Sequence, residues 1–183
     1  MSQIEEESEL LQKRKDKIAS LRADGIELYP NDVRVKDTSD SIIARFSSLD
    51  QEELSRIDEK FSIAGRLMAV RDFGKGAFIS VQDRKGRLQG LISKKAVGEA
   101  TFNMFKKLDI GDIVYVAGKV MKTRTGELTI EAGEFRLLSK SMRPLPEKWH
   151  GLTDVETRYR QRHLDLISNP RVKDVFYKRS RII

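Results

Sequence analysis

The chain has 183 residues, of which 39% are hydrophobic and 34% charged, enough for one packed domain with appendages and too little for a large multidomain enzyme. With no cysteine there is no disulfide framework or thiolate metal site, and the two isolated histidines, His150 and His163, do not make a zinc centre. The net charge of +7 is regional: residues 1–60 hold 10 basic and 15 acidic side chains, residues 61–139 hold 14 and 8, and residues 140–183 hold 11 and 5. An acidic head before a basic middle and tail suits a polyanion-binding module, and equally a solvated surface.

The start, MSQIEEESELLQKRKDK, has acids where a signal peptide needs basic residues and an apolar run, so the expected location is cytoplasmic. Apolar positions Ile4, Leu10, Leu11, Ile18 and Leu21 make a loose helical stripe that stops at Gly25, the pattern of a surface helix. Tyr29-Pro30-Asn31-Asp32 is turn chemistry, and Thr38-Ser39-Asp40 offers an N-cap for a short helix through Ile42, Ile43 and Phe46. Gln51 to Ile57 adds another helical turn.

From Phe61 the period changes to two. FSIAGRLMAVRDFG, GAFISVQD, RLQGLISK, DIVYVAGKVMKT and GELTIEAGEFRLL read as five strands separated by Gly-bearing turns. Between the third and fourth, Lys94 to Leu108 reads as one short helix despite Gly98. Five strands with a helix between the third and fourth is the order of an OB-fold barrel, with an SH3-like barrel as the alternative. The fold class is therefore mainly β with helices, in three expected parts: residues 1–60 as a helical extension, 61–140 as the OB-fold domain, and 141–183 as a hinge. After the barrel, Pro144-Leu145-Pro146 is a stiff link. Thr153-Asp-Val-Glu156 reads as a capping box opening a helix through Leu166, and Asn169-Pro170 stops that helix and caps the next.

In the second strand, Ala77, Ile79 and Val81 take the inner face, which leaves Phe78 outside with Ser80 and Gln82. If Asp83-Arg-Lys-Gly86 is a four-residue hairpin loop, Gln82 pairs with Arg87, Ser80 with Gln89 and Phe78 with Leu91, placing Gln89 diagonal to Phe78. An aromatic ring and an amide on one patch can stack on a base and pair with its edge. Packing of Phe78 under a loop or the N-terminal helix is the other reading. Arg71, Lys75, Arg87, Lys122 and Arg124 would follow a phosphate backbone. Glu127 among them implies a hydrogen bond accepted from a base, or else a local ion pair with Arg124 or Lys122.

The strings FGKGAFISVQD, GRLQG, LDIGDIV, KTRTGELTI, PLPEKWHGL and ETRYRQRHLDLISNP together resemble lysyl-tRNA synthetases of the class II type, over nearly the whole chain. The resemblance implies a barrel that binds a uridine-rich anticodon of lysine tRNA. Phe78 would stack on the central base, Gln89 would bond its edge, Glu127 would accept from the same base and Arg71 would hold the backbone. It also implies a homodimer and a downstream domain that uses ATP and magnesium. Asn169 to Ile183 looks like the opening of the first class II motif, so the chain reads as a fragment from which no aminoacylation is expected. An aspartyl- or asparaginyl-specific relative and a stand-alone single-strand-binding module are the alternatives. Arg158, Arg160 and Arg162 are read as a solvated helix face, a pairing surface for a further domain, or hinge contacts to tRNA.

Overall fold

Alternating apolar residues need partners that bury the same face, and five such segments can satisfy one another only by closing on themselves. The computed structural model describes residues 3–145 and 152–183, so Pro146 and His150 lie outside the described residues. It contains β1 (Phe61–Asp72), β2 (Gly76–Gln82), β3 (Arg87–Ser93), β4 (Ile113–Lys122) and β5 (Leu128–Ser139). They form a closed barrel in the order β1-β2-β3-β5-β4, with β3 and β5 parallel and every other pair antiparallel. The expected hairpin register holds throughout: Gln82 faces Arg87, Ser80 faces Gln89 and Phe78 faces Leu91. Ile63, Leu67, Ile79, Val81, Ile92, Val114, Val116 and Ile130 fill the interior.

Two features depart from strict alternation. In β1 the register slips between Leu67 and Ala69, so Met68 is an extra residue in a bulge. Between β3 and β4 the single expected helix is two, α4 (Lys94–Val97) and α5 (Glu99–Lys106). Gly98 divides them at φ 83°, a conformation that a helix interior does not admit and glycine adopts freely. α5 then turns Phe102, Met104 and Phe105 into the core, where Phe105 meets Phe135 edge to face at 5.6 Å.

The N-terminal segment is more than a surface helix. α1 (Gln3–Ala23) buries Arg14, Ile18 and Leu21, one face at helical spacing, and Ile18 and Leu21 belong to the same core cluster as the barrel. Its polar anchor is a buried ionic latch. Lys140, with a fully buried side chain, contacts Asp109 at 2.6 Å and Asp112 at 2.9 Å, and Lys17 of α1 reaches Asp109 at 2.5 Å. Asp112 also accepts the Asp109 and Ser141 backbone N–H groups, each at 2.8 Å. Arg14 donates to the carbonyls of Ile110, Ser141 and Arg143, each at 3.0 Å.

Two short helices follow: α2 (Ser39–Phe46) behind the expected cap Thr38, and α3 (Gln51–Ser55), which Asp50 caps. Asp83 joins α2 to the β2–β3 loop. Its carboxylate accepts from the Ser39 N–H (2.6 Å), the Ser39 hydroxyl (2.7 Å), and the N–H groups of Lys85 (2.7 Å) and Gly86 (2.8 Å).

Residues 144–183 form a separate compact unit. The expected helix through Leu166 is interrupted at Gln161, giving α6 (Val155–Arg160) and α7 (Arg162–Ser168), followed by α8 (Pro170–Ile182). The N-cap is Asp154 rather than Thr153, because the Asp154 carboxylate is the group that receives the Thr157 N–H, at 2.6 Å. Nor does Asn169 cap α8 with its side chain. Its amide donates instead to the Leu152 carbonyl at 3.2 Å and to Asp165 at 2.6 Å. Arg158 and Arg162 converge on the same fully buried Asp165, while Arg160 pairs with Glu156. Two of the three arginines are thus consumed within this unit, where a solvated face, a pairing surface for a further domain or hinge contacts to tRNA were expected.

Candidate nucleic-acid interface

A strand sends successive side chains to opposite faces, so Phe78, between buried Ala77 and Ile79, has to leave the core. It lies half-buried on the outside of the barrel, facing Leu91 on one side and Arg71 on the other. Arg71 reaches that face because of the bulge. Leu67 is fully buried, and strict alternation from it would turn Arg71 inward. The extra residue at Met68 reverses the parity, so Ala69 pairs with Ser80 and Arg71 with Phe78. Arg71, Lys75 and Arg124 are exposed and form no ion pair among the described residues.

Phe73 is a residue that sequence alternation misses, because it falls at the ragged end of the first strand run. In the structure it opens the β1–β2 loop, is 55% exposed, and lays its ring against Phe78 with 5.5 Å between centroids and 46° between planes. The only signal for it in the sequence is its place before the Gly74-Lys75-Gly76 turn. Two adjoining rings beside Arg71 and Lys75 make an apolar plate with a basic margin, the combination that accepts unstacked bases and their phosphates.

Gln89 sits on β3 between Ser80 and Thr129. Its Nε2 donates to the Thr129 hydroxyl at 3.0 Å, and that hydroxyl donates onward to the Glu127 carbonyl at 3.1 Å. Glu127 lies in the β4–β5 loop, a tight turn in which the Thr123 N–H donates to the Glu127 carbonyl at 3.0 Å and Gly126 adopts φ 81°. The Glu127 carboxylate is exposed and pairs with neither Arg124 nor Lys122. Lys122 is otherwise engaged: its ammonium donates to the Ser47 carbonyl at 2.9 Å, and its backbone N–H to Gln51 at 2.7 Å. Arg87 likewise turns to Gln82, at 2.7 Å. Of the five basic residues expected along a backbone, two are tied to the protein itself.

Strand register orders the face. Phe78, Leu91 and Glu131 form one row; Ser80, Gln89 and Thr129 form the next. Glu127 precedes Thr129 by two residues, so Gln89 stands between Phe78 and Glu127. The arrangement offers, in sequence, a stacking surface, an amide and a carboxylate, with cations at the margins. Such a set can hold unpaired nucleobases. Among the described residues no cluster of three or more His, Cys, Asp or Glu side chains could hold a metal ion.

Comparison with known proteins agrees with this chemistry. A family model for the tRNA anticodon type of OB-fold nucleic acid binding domain matches residues 61–138. The chain is 47% identical over 177 residues to a lysine–tRNA ligase of Anaeromyxobacter sp. (strain K), covering 97% of this chain and 34% of that protein. It is 48% identical over 180 residues to one from Moorella thermoacetica (98% and 35%) and 46% identical over 181 residues to one from Xylella fastidiosa strain M12 (97% and 36%). The chain therefore spans about a third of the length of the curated relatives it matches.

Proposed function

We propose that this chain, whose barrel is an OB-fold nucleic-acid-binding domain of the tRNA-anticodon type, is the anticodon-binding region of a lysine–tRNA ligase. The observation that carries the reading is Phe78, turned out of the core onto the outer face where it pairs with Arg71 and neighbours the row of Gln89, with Glu127 exposed in the β4–β5 loop. Phe78 stacks on the central base of the anticodon, with Phe73 widening the plate. Gln89 bonds that base's edge, Glu127 accepts from a donor on the same base, and Arg71 with Lys75 holds the backbone. Stacking of one base on an aromatic side chain contributes about 1–3 kcal/mol, and each neutralised phosphate adds salt-sensitive affinity.

Activation of lysine with ATP and magnesium, and homodimer formation, belong in this proposal to the ligase as a whole. The functional setting is the cytoplasm, where tRNA is charged; no helix among the described residues is long and apolar enough to cross a membrane.

The test is a footprint of the chain on total tRNA. Protection concentrated on a uridine-rich anticodon loop is the expected result. Protection spread evenly over single-stranded regions would favour a general single-strand-binding module, and protection of a different anticodon would favour an aspartyl- or asparaginyl-type partner.

A further inference from the structure

Thr129 combines an outward register with full burial. It belongs to the outward-facing row with Ser80 and Gln89, yet it is fully buried and a hydroxyl is its only polar side-chain group. A hydroxyl has one proton to give and lone pairs to accept with. Here the proton goes to the Glu127 carbonyl at 3.1 Å, so a lone pair is what faces Gln89, whose Nε2 supplies the matching donor at 3.0 Å. Turning the Gln89 amide over would set its oxygen against the Thr129 oxygen. One proton would then face two acceptors, and one of the two hydrogen bonds that Thr129 now makes would be lost, although the Glu127 carbonyl would keep the Thr123 N–H.

We infer that Thr129 is a positioning residue for base recognition: its hydroxyl fixes which end of the Gln89 amide faces the nucleobase, and ties that amide to the loop bearing Glu127. This rests on the anticodon reading proposed above. With the nitrogen end held by β5, Gln89 Oε1 is left without a partner among the described residues, and so is the Glu127 carboxylate. Both free groups are acceptors. Whichever of them meets the ring edge of a base takes a ring imino N–H, which uracil and guanine carry. Cytosine and adenine present a ring lone pair at the corresponding position and meet like against like. Discrimination thus originates one residue behind the amide that touches the base.

The experiment measures the affinity of the whole chain for two anticodon stem-loop RNAs that differ only in a central uridine or cytidine. It compares the unaltered protein with Thr129→Val, Thr129→Ser and Gln89→Ala. The unaltered protein and Thr129→Ser, which keeps the hydroxyl, are expected to prefer uridine by at least roughly tenfold, as one well-placed polar contact confers. Thr129→Val is expected to lose most of that preference, through tighter cytidine binding as much as through weaker uridine binding. A merely structural role would weaken both RNAs alike and leave the ratio untouched. Full discrimination by a folded Thr129→Val overturns the inference. If Gln89→Ala loses discrimination in that same case, the anticodon reading survives. If Gln89→Ala changes nothing, both fall. Should Thr129→Val not fold, proton exchange at the Gln89 side-chain amide of the unaltered protein decides. Exchange several-fold slower than at exposed glutamines supports the tie to Thr129, and equal exchange overturns it.

Discussion

The barrel unit holds two collections of charged and polar groups that are opposites in their wiring. Around Lys140, every group is matched: Asp109, Asp112, Lys17 and Arg14 give and accept hydrogen bonds among themselves and to the backbone, and both Lys140 and Asp112 are fully buried. Around Phe78, the groups are held in place but left unsaturated. Arg71, Lys75, Arg124 and the Glu127 carboxylate pair with nothing among the described residues, and Gln89 spends only one end of its amide. Matched charges in a dry site hold a structure, because removing one strands the rest. Unmatched ones in water cost little, and they remain available to a ligand. The contrast separates the part of the surface kept for stability from the part kept for binding.

Asp112→Ala does the most damage to the latch. That change leaves Lys140 leaning on Asp109 alone and frees two part-buried N–H groups, so unfolding free energy is expected to fall by about 3–5 kcal/mol. Chemical denaturation measures it, and RNA affinity of the folded fraction should stay as it was. Next comes Asp83→Asn, which weakens a carboxylate accepting four hydrogen bonds between α2 and the β2–β3 loop; a loss of about 2 kcal/mol is expected.

Acid should tell the two regions apart as well. Burial pushes the Asp109 carboxyl up, but the Lys140 and Lys17 ammonium groups outweigh it and hold the group below its ordinary value of 3.8. Burial likewise pushes Asp83 up, and hydrogen bonds from Ser39, Gly86 and Lys85 more than reverse it. Both carboxyls bind protons more readily unfolded than folded, so their stabilisation is complete above the ordinary carboxylate range. It drains away as pH falls through 3.8 toward the lower folded values. A series of urea midpoints between neutrality and pH of about 3 should show the decline only at its acid end. The smallest effect belongs to Arg71→Ala. It should leave stability within about 0.5 kcal/mol and lower the slope of log affinity against log salt by about one contact.

Much of the barrel was legible because alternation in the second and third strands is clean: apolar residues at Ala77, Ile79 and Val81, then Leu88 and Ile92, leave one register that buries them all. That register alone puts Phe78 and Gln89 on a common outer face. The bulge was not legible, since Leu67, Met68, Ala69 and Val70 are apolar at both parities and give no sign of where a residue is skipped. Without it, strand alternation from Leu67 gave no reason to set Arg71 opposite Phe78. Thr129 was hidden for another reason. Its partner Gln89 is 40 residues away and is reached through the parallel β3–β5 pairing, which leaves no local trace. The latch at Lys140 shares that property, while the local convergence of Arg158 and Arg162 on Asp165 was hidden because charged residues in a sequence look alike whether they end in water or in a buried pair. Gln161 interrupts a helix amid good helix formers, so nothing local announced the break.

The outward aromatic ring on β2 binds a nucleobase while the latch region keeps the fold. The direct measurement is the affinity of Phe78→Ala for a uridine-rich anticodon stem-loop, taken across a salt series and beside its urea midpoint. Affinity is expected to drop by about tenfold or more, with the salt slope and the midpoint nearly unchanged, because a stacking contact carries no charge and the ring lies outside the core. Unaltered affinity, or a loss traced wholly to a lower midpoint, would contradict the account.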